Sequence, residues 1–347
     1  MKEQLAEIQK IADNPAAPTF ENTFVAMEKS GQMLTRVNNV FNLLTGANTN
    51  PELQKIQEEA APKLAAHQDA IYLNSKLFKR IETIYKNRSQ LQSDAESNRL
   101  IEYTYQQFLL AGAKLSDADK ASMKKLNEEE AFLSAKFTNQ LLAAAKAGAL
   151  VVSDSSELAG LSQGSLDAFA QNAKANKLTG KWMIPLQNTT QQPALQSISN
   201  RAARQKLFEA SWNRAEKSDS NDTRNTIARI AQIRVEKAKL MGFPNYASWK
   251  LQDQMAKTPA AVDQFFAQLV PSATAKARGE AADIQALIDK QNGGFKLQPW
   301  DWNYYAEQVR KEKYNLDESE IKPYFELNKV LENGVFYAAN QLYGLNL

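Results

Sequence analysis

Along most of this chain apolar residues recur every three or four positions, the period of a helix that buries one face. From Phe20 the series Phe24, Met27, Leu34, Val37, Phe41 and Leu44 predicts one long helix, which "TGANTNPE" ends. Thr49 or Asn50 can cap the next run, with Pro51 at its first position; Pro62 inside that run predicts a kink or a division into two helices. Further helices are predicted through "SNRLIEYTYQQFLLAGAKL" and from the cap "LSDADK" to "AAAKAGA", completing a hairpin-rich helical lobe.

The pattern changes after Gly148. Val151 and Val152, then Trp182 to Leu186, read as short β segments with a small helix between them, and "NTTQQP" reads as polar turn material. A lobe boundary is expected near Leu178, giving 1–178 as an N-terminal helical lobe and 179–347 as a second region. Helical periodicity then resumes. Val262, Phe265, Phe266, Leu269, Val270, Ala273, Ala277, Ile284 and Leu287 form one stripe, with a bend expected at Pro271. A last helix is predicted through "FELNKVLENGVFYAANQLYGL". The fold class is therefore mainly α, with a few short β segments and two lobes; no period of 20 to 50 residues repeats, which disfavours a solenoid.

Composition removes several chemistries. With 347 residues the chain can bury a sizeable core, and a mean hydropathy of -0.51 with no apolar run of spanning length argues against a membrane protein. The 42 basic and 39 acidic residues are interspersed, so nucleic-acid binding is not demanded. Cysteine is absent and His67 is the single histidine, which excludes thiolate chemistry and any zinc site needing two histidines within these residues.

Individual candidates each carry a plain alternative. His67, beside Leu64 and Ile71, reads as a packing or surface histidine without an evident partner. Glu128, Glu129 and Glu130 are consecutive, so on a helix they point about 100° apart and do not converge on one ion. Arg234 lies beside the apolar positions Ile227, Ile230 and Met241 and is expected to find a carboxylate or backbone carbonyls, with an ion pair favoured over ligand binding. In the run Gln187 to Pro193, Asn188 and Gln191 can offer amides to a peptide backbone, or the run is a turn that satisfies itself. In "PWDWNYY", Asp301 can cap a helix anchored by Trp300 and Trp302, while Tyr304 and Tyr305 either pack or face a peptide cleft.

The order "NTTQQPAL", "NRAARQKLFEASWNRAEK", "EKAKLMGFPNYASWKLQDQMAKTPAAVDQF", "PWDWNYYAEQVRKEKY" resembles the thimet oligopeptidase family of zinc metallopeptidases, and within it the bacterial peptidyl-dipeptidases. The similarity reaches back through "NPAAPTFENTFVAMEKSGQMLTRVNNVF" and covers nearly the whole chain. Resemblance implies two mostly helical lobes around a channel with zinc on its floor, and removal of dipeptides from peptide C-termini. The His-Glu-x-x-His helix and third ligand that such chemistry needs have no counterpart here. What the resemblance then implies is a non-catalytic N-terminal portion, cut at both ends, in which 179–347 is the beginning of the peptidase catalytic region, truncated before the zinc motif, and which supplies channel wall and substrate selection. It would have no cofactor of its own, with zinc in the full-length parent. Expected partners are a missing C-terminal catalytic half and short oligopeptides, without nucleic acid or membrane, and exposed apolar surface would favour self-association. The expected location is cytoplasmic, or periplasmic if the parent carries a signal peptide. The alternative is a stand-alone helical peptide-binding or interaction protein.

Overall fold

The computed structural model describes residues 1–315 and 318–346. It is mainly α: the described residues hold one two-stranded sheet, in which β1 (Leu150–Val152) pairs antiparallel with β2 (Trp182–Ile184), Val151 opposite Met183. The chain divides into two compact units that interleave in sequence, Met1–Ala147 with Asn213–Val270, and Gly148–Trp212 with Pro271–Leu347. A single cut at Leu178 passes through the second of these.

In the first unit the helices Lys2–Ala12, Pro51–Tyr72, Ser75–Lys86 and Ala95–Ala111 enclose a core of Ile8, Phe24, Leu77, Ile81, Ile101 and Phe108. Asn50 caps the Pro51 helix by accepting from the Leu53 N–H, and of the kink or division expected at Pro62 the division does not occur: one helix runs through it. The run expected as one helix from Phe20 is broken, because Gly31 adopts φ +69° and its N–H donates to Glu7. A new helix, Gln32–Ala47, starts there and buries none of its residues.

Long-range ion pairs join the Asp117–Ala147 and Arg224–Leu240 helices. Glu129 accepts from Arg229 Nε and Nη2 at 2.6 and 2.7 Å. Glu130 accepts from Arg234 and Lys237, both at 2.8 Å, so Arg234 has the carboxylate expected for it. Burial opposes ionisation of Glu130, yet hydrogen bonds from Lys237 and Arg234 prevail and hold its carboxyl below the usual range. His67 is buried rather than partnerless, its Nε2 lying 2.7 Å from Gln4 Oε1; desolvation lowers its pKa, so the neutral ring is favoured. Asp69, two residues on, is less well served. Its Oδ1 accepts from Asn127 Nδ2 at 2.7 Å, its buried Oδ2 has no partner, and burial pushes its pKa up to about 6.

The second unit turns on Asp301, which has no solvent exposure. Arg201 Nε and Nη2 donate to its carboxylate at 2.9 to 3.1 Å, Arg204 Nη2 donates at 3.0 Å, and the Gln298 N–H adds a bond of 3.2 Å. Arg204 is itself 1% exposed, and its Nη1 donates to the carbonyls of Ile198 and Ser199, which end the Asn188–Ser197 helix. The aromatic segment wraps this clamp: Arg204 lies 4.2 Å from the Tyr304 ring centroid, and Arg201 lies 4.0 Å from that of Phe295. Tyr305 packs with Ile284, Leu287 and Ile288. Asp301 is thus not the side-chain cap of the Trp302–Tyr314 helix; its carboxylate closes the preceding Pro299–Asp301 turn and the two arginines instead. Trp302 packs on the Ile284 cluster and Trp300 meets Phe208 edge-on at 6.4 Å.

Two outcomes are expected from these buried charges. Asp69 has a folded-state pKa above its unfolded value of 3.8, so its penalty is absent below about pH 4 and complete above about pH 6. A rise of that size corresponds to at most ~3 kcal/mol. Asp69→Asn should raise the melting temperature at pH 8, and the gain should vanish by pH 4; a gain independent of pH would contradict the buried carboxylate. Asp301→Ala leaves Arg204 charged and buried, which should cost about 3–5 kcal/mol in urea unfolding. A loss below ~1 kcal/mol would show that the clamp is not what secures this unit.

Candidate functional site

A groove of about 750 Å³ in the second unit has the size and mixed lining of a small-ligand or short-peptide site. Its lining is apolar at Leu161, Ala168, Phe169 and Ala194 and carries the hydroxyls of Ser162, Ser165, Thr189, Thr190 and Ser197. Glu307, Lys311 and Lys322 bring charge to it.

Local sequence explains each wall. Ser162 caps the Gln163–Ala175 helix by accepting from the Ser165 N–H at 3.3 Å, which fixes both hydroxyls at one rim. Gly160 has φ +100°, and a Cβ there would come within 2.1 Å of the Ser197 carbonyl oxygen, so only glycine lets this turn lie against the end of the Asn188–Ser197 helix. The Ser199 N–H and hydroxyl both donate to the Ala159 carbonyl, at 2.8 and 3.0 Å, and stitch the contact. Across the groove, Glu307 is held by Arg310 at 2.8 and 2.9 Å.

The sequence candidates distribute unevenly around this groove. The run expected as a turn is the first part of a helix, Asn188–Ser197, because Gln187 is extended and its carbonyl accepts from the Thr190 and Gln191 N–H groups. Thr189 and Thr190 line the groove; Asn188 is exposed beside it, and Gln191 has a buried Oε1 without a partner. Thr190 is partly self-satisfied, since its hydroxyl donates to the Pro185 carbonyl at 2.6 Å. Tyr304 and Tyr305 do not line it; they stand edge to face at 5.1 Å beside Arg204. Sequence reasoning passed over Arg201 and Arg204, although their i,i+3 spacing puts them on one helix face, and over Ser162, whose capping position was legible.

The residues present do not fit a zinc centre. Among the described residues no group of three or more His, Asp or Glu side chains is placed to hold a metal ion. Glu129 and Glu130 turn to the cations of a neighbouring helix, as their adjacent positions require. Among the described residues no histidine lines the groove; its polar groups are the hydroxyls together with Glu307, Lys311 and Lys322. No helix among the described residues is long and apolar enough to cross a membrane.

With that geometry in place, the likeness to known proteins is specific. Residues 194–347 match Peptidase family M3. Over 345 residues the chain is 53% identical to a dipeptidyl carboxypeptidase of Escherichia coli (strain K12), covering 99% of this chain and 51% of that protein. The dipeptidyl carboxypeptidase of Salmonella typhimurium is 50% identical over 345 residues, with the same shares covered. Oligopeptidase A of Escherichia coli is 25% identical over 342 residues, 97% of this chain and 50% of its own length. The chain spans about half the length of the curated relatives it matches. Its residues 194–347 match peptidase family M3, and nearly the whole chain is similar to dipeptidyl carboxypeptidases.

Proposed function

We propose that these residues form the peptide-positioning, non-hydrolytic portion of a dipeptidyl carboxypeptidase, with zinc and its ligands supplied by residues outside this sequence. The observation that carries the proposal is the 53% identity to such an enzyme over 99% of the chain, in a sequence with one histidine. The groove supports it. Hydroxyl groups in a partly apolar lining can pair with a peptide backbone while the apolar positions accept side chains, and neither task requires an acid or a base. In this reading the groove selects short, extended chains and hydrolysis happens elsewhere.

The partner we propose is the catalytic portion of such a peptidase. Met33, Val37, Val40 and Leu44 follow one another along one face of the Gln32–Ala47 helix and are exposed, an apolar stripe with much to gain from cover. Without that cover the same stripe favours self-association. A cytoplasmic location belongs to the same proposal. The alternative, a stand-alone peptide-binding protein, would use the groove in the same way.

Incubation of the purified chain with a hexapeptide, with and without added zinc, should release no dipeptide by mass spectrometry. Calorimetry should detect the peptide at a Kd on the order of 0.1–1 mM, or about −4 to −5.5 kcal/mol. Ala168→Trp, an exposed groove position, should weaken that binding at least tenfold and leave the melting temperature unchanged. Zinc-dependent dipeptide release by the chain alone would refute the non-hydrolytic assignment, and unchanged binding by Ala168→Trp would refute the groove.

A further inference from the structure

A second cavity, of about 500 Å³, lies within the first unit and is lined by Asp69, Asn127, Lys237, Trp249, Lys250 and Asp253 among others. Most of its polar groups are occupied. Lys237 is paired with Glu130, and Asp253 accepts from Gln107 and Gln254 at 3.3 and 2.9 Å. The Trp249 indole N–H donates to the Leu110 carbonyl at 3.1 Å, which fixes its ring in the wall. Two groups have capacity to spare.

The first is Asp69, 6% exposed, with Oδ2 buried and unpartnered. A buried carboxylate oxygen without a donor is costly, and such groups are rare in folded proteins unless a ligand or ion completes them. The carboxylate torsion is soft, so either oxygen can turn to the cavity while the other keeps its bond to Asn127. The second is the exposed Lys250, whose ammonium lies 4.9 Å from the Trp249 ring centroid, attracts Asp253 electrostatically and forms no ion pair within 4 Å among the described residues. A buried carboxylate with an unmet oxygen and an exposed ammonium without a close ion pair therefore line one cavity that has an aromatic wall.

We propose that this cavity binds a small zwitterion, a free amino acid or a dipeptide, with its ammonium on the carboxylate of Asp69 and its carboxylate on the ammonium of Lys250. A simple cation is disfavoured by Lys237 and Lys250 in the same wall, and a simple anion by Asp69 and Asp253. A molecule carrying both charges satisfies both ends. An ammonium on Asp69 also offsets the burial that raises its pKa, so binding weakens as the solution is acidified through about pH 6. The charged groups facing Asp69 are Lys237 from the Arg224–Leu240 helix and Lys124 and Glu128 from the Asp117–Ala147 helix. The inference does not rest on the groove of the second unit.

Calorimetric titration of the whole chain with glycylglycine, N-acetylglycylglycine and glycylglycinamide at pH 7.5 tests it. Glycylglycine should bind, blocking its amine should weaken binding at least tenfold, and amidating its carboxylate should weaken it severalfold. Asp69→Asn, near-isosteric and checked for folding by circular dichroism, should lose the glycylglycine site; Lys250→Ala should abolish only the preference for the free carboxylate. Ala168→Trp, which obstructs the groove, should leave glycylglycine binding intact. Equal affinity for the acetylated and free dipeptides, full binding by Asp69→Asn, or no binding at 50 mM glycylglycine would overturn the proposal. Loss of binding in Ala168→Trp alone would assign the dipeptide to the groove and overturn it equally.

Discussion

Asp301 has no contact with water, and its charge is tolerable only because two guanidinium groups and a backbone N–H surround it. Much of the second unit follows from satisfying that one carboxylate. Arg204 reaches it from the helix that begins at Arg201 and, with its other nitrogen, ties down the carbonyls closing the helix before. The aromatic rings of Phe295, Tyr304 and Tyr305 then cover the cations. The groove wall formed by Thr189, Thr190 and Ala194 belongs to the helix whose end Arg204 holds, so the clamp positions the groove without lining it.

The first unit handles its buried acids in two ways. Glu130 is met by Arg234 and Lys237, and its carboxyl stays ionised despite burial. Asp69 receives one amide N–H and is left wanting. Its burial carries a stability cost above about pH 6 that a neutral isostere at this position would not bear.

Periodicity made the helices legible because each must bury a stripe, and the two β segments were readable from their β-branched and aromatic content. Single residues marked the exceptions less clearly. Gly31 breaks a run whose apolar spacing continues on both sides, since backbone conformation there is set by a contact with Glu7 that lies far away in sequence. Arg234 was expected to have a carboxylate partner and has one, but that the partner is Glu130 could not be read from two helices separately. The same limit hid the clamp: Arg201 and Asp301 stand 100 positions apart, and nothing local to either shows that they meet. The groove is a product of three segments converging, so its residue types were visible while their association was not.

The interleaving of the two units has a further consequence for how such a chain is made. Glu129 emerges during synthesis 100 residues ahead of Arg229, and Arg201 100 residues ahead of Asp301. The first unit cannot close its ion network until Asn213–Val270 has followed, by which time Gly148–Trp212 is already waiting for its own later half. Each unit therefore spends part of its birth holding unpaired charge and uncovered apolar surface, and loop closures of this length come late and slowly. Vectorial synthesis, in which one domain is finished before the next begins, is not open to this topology.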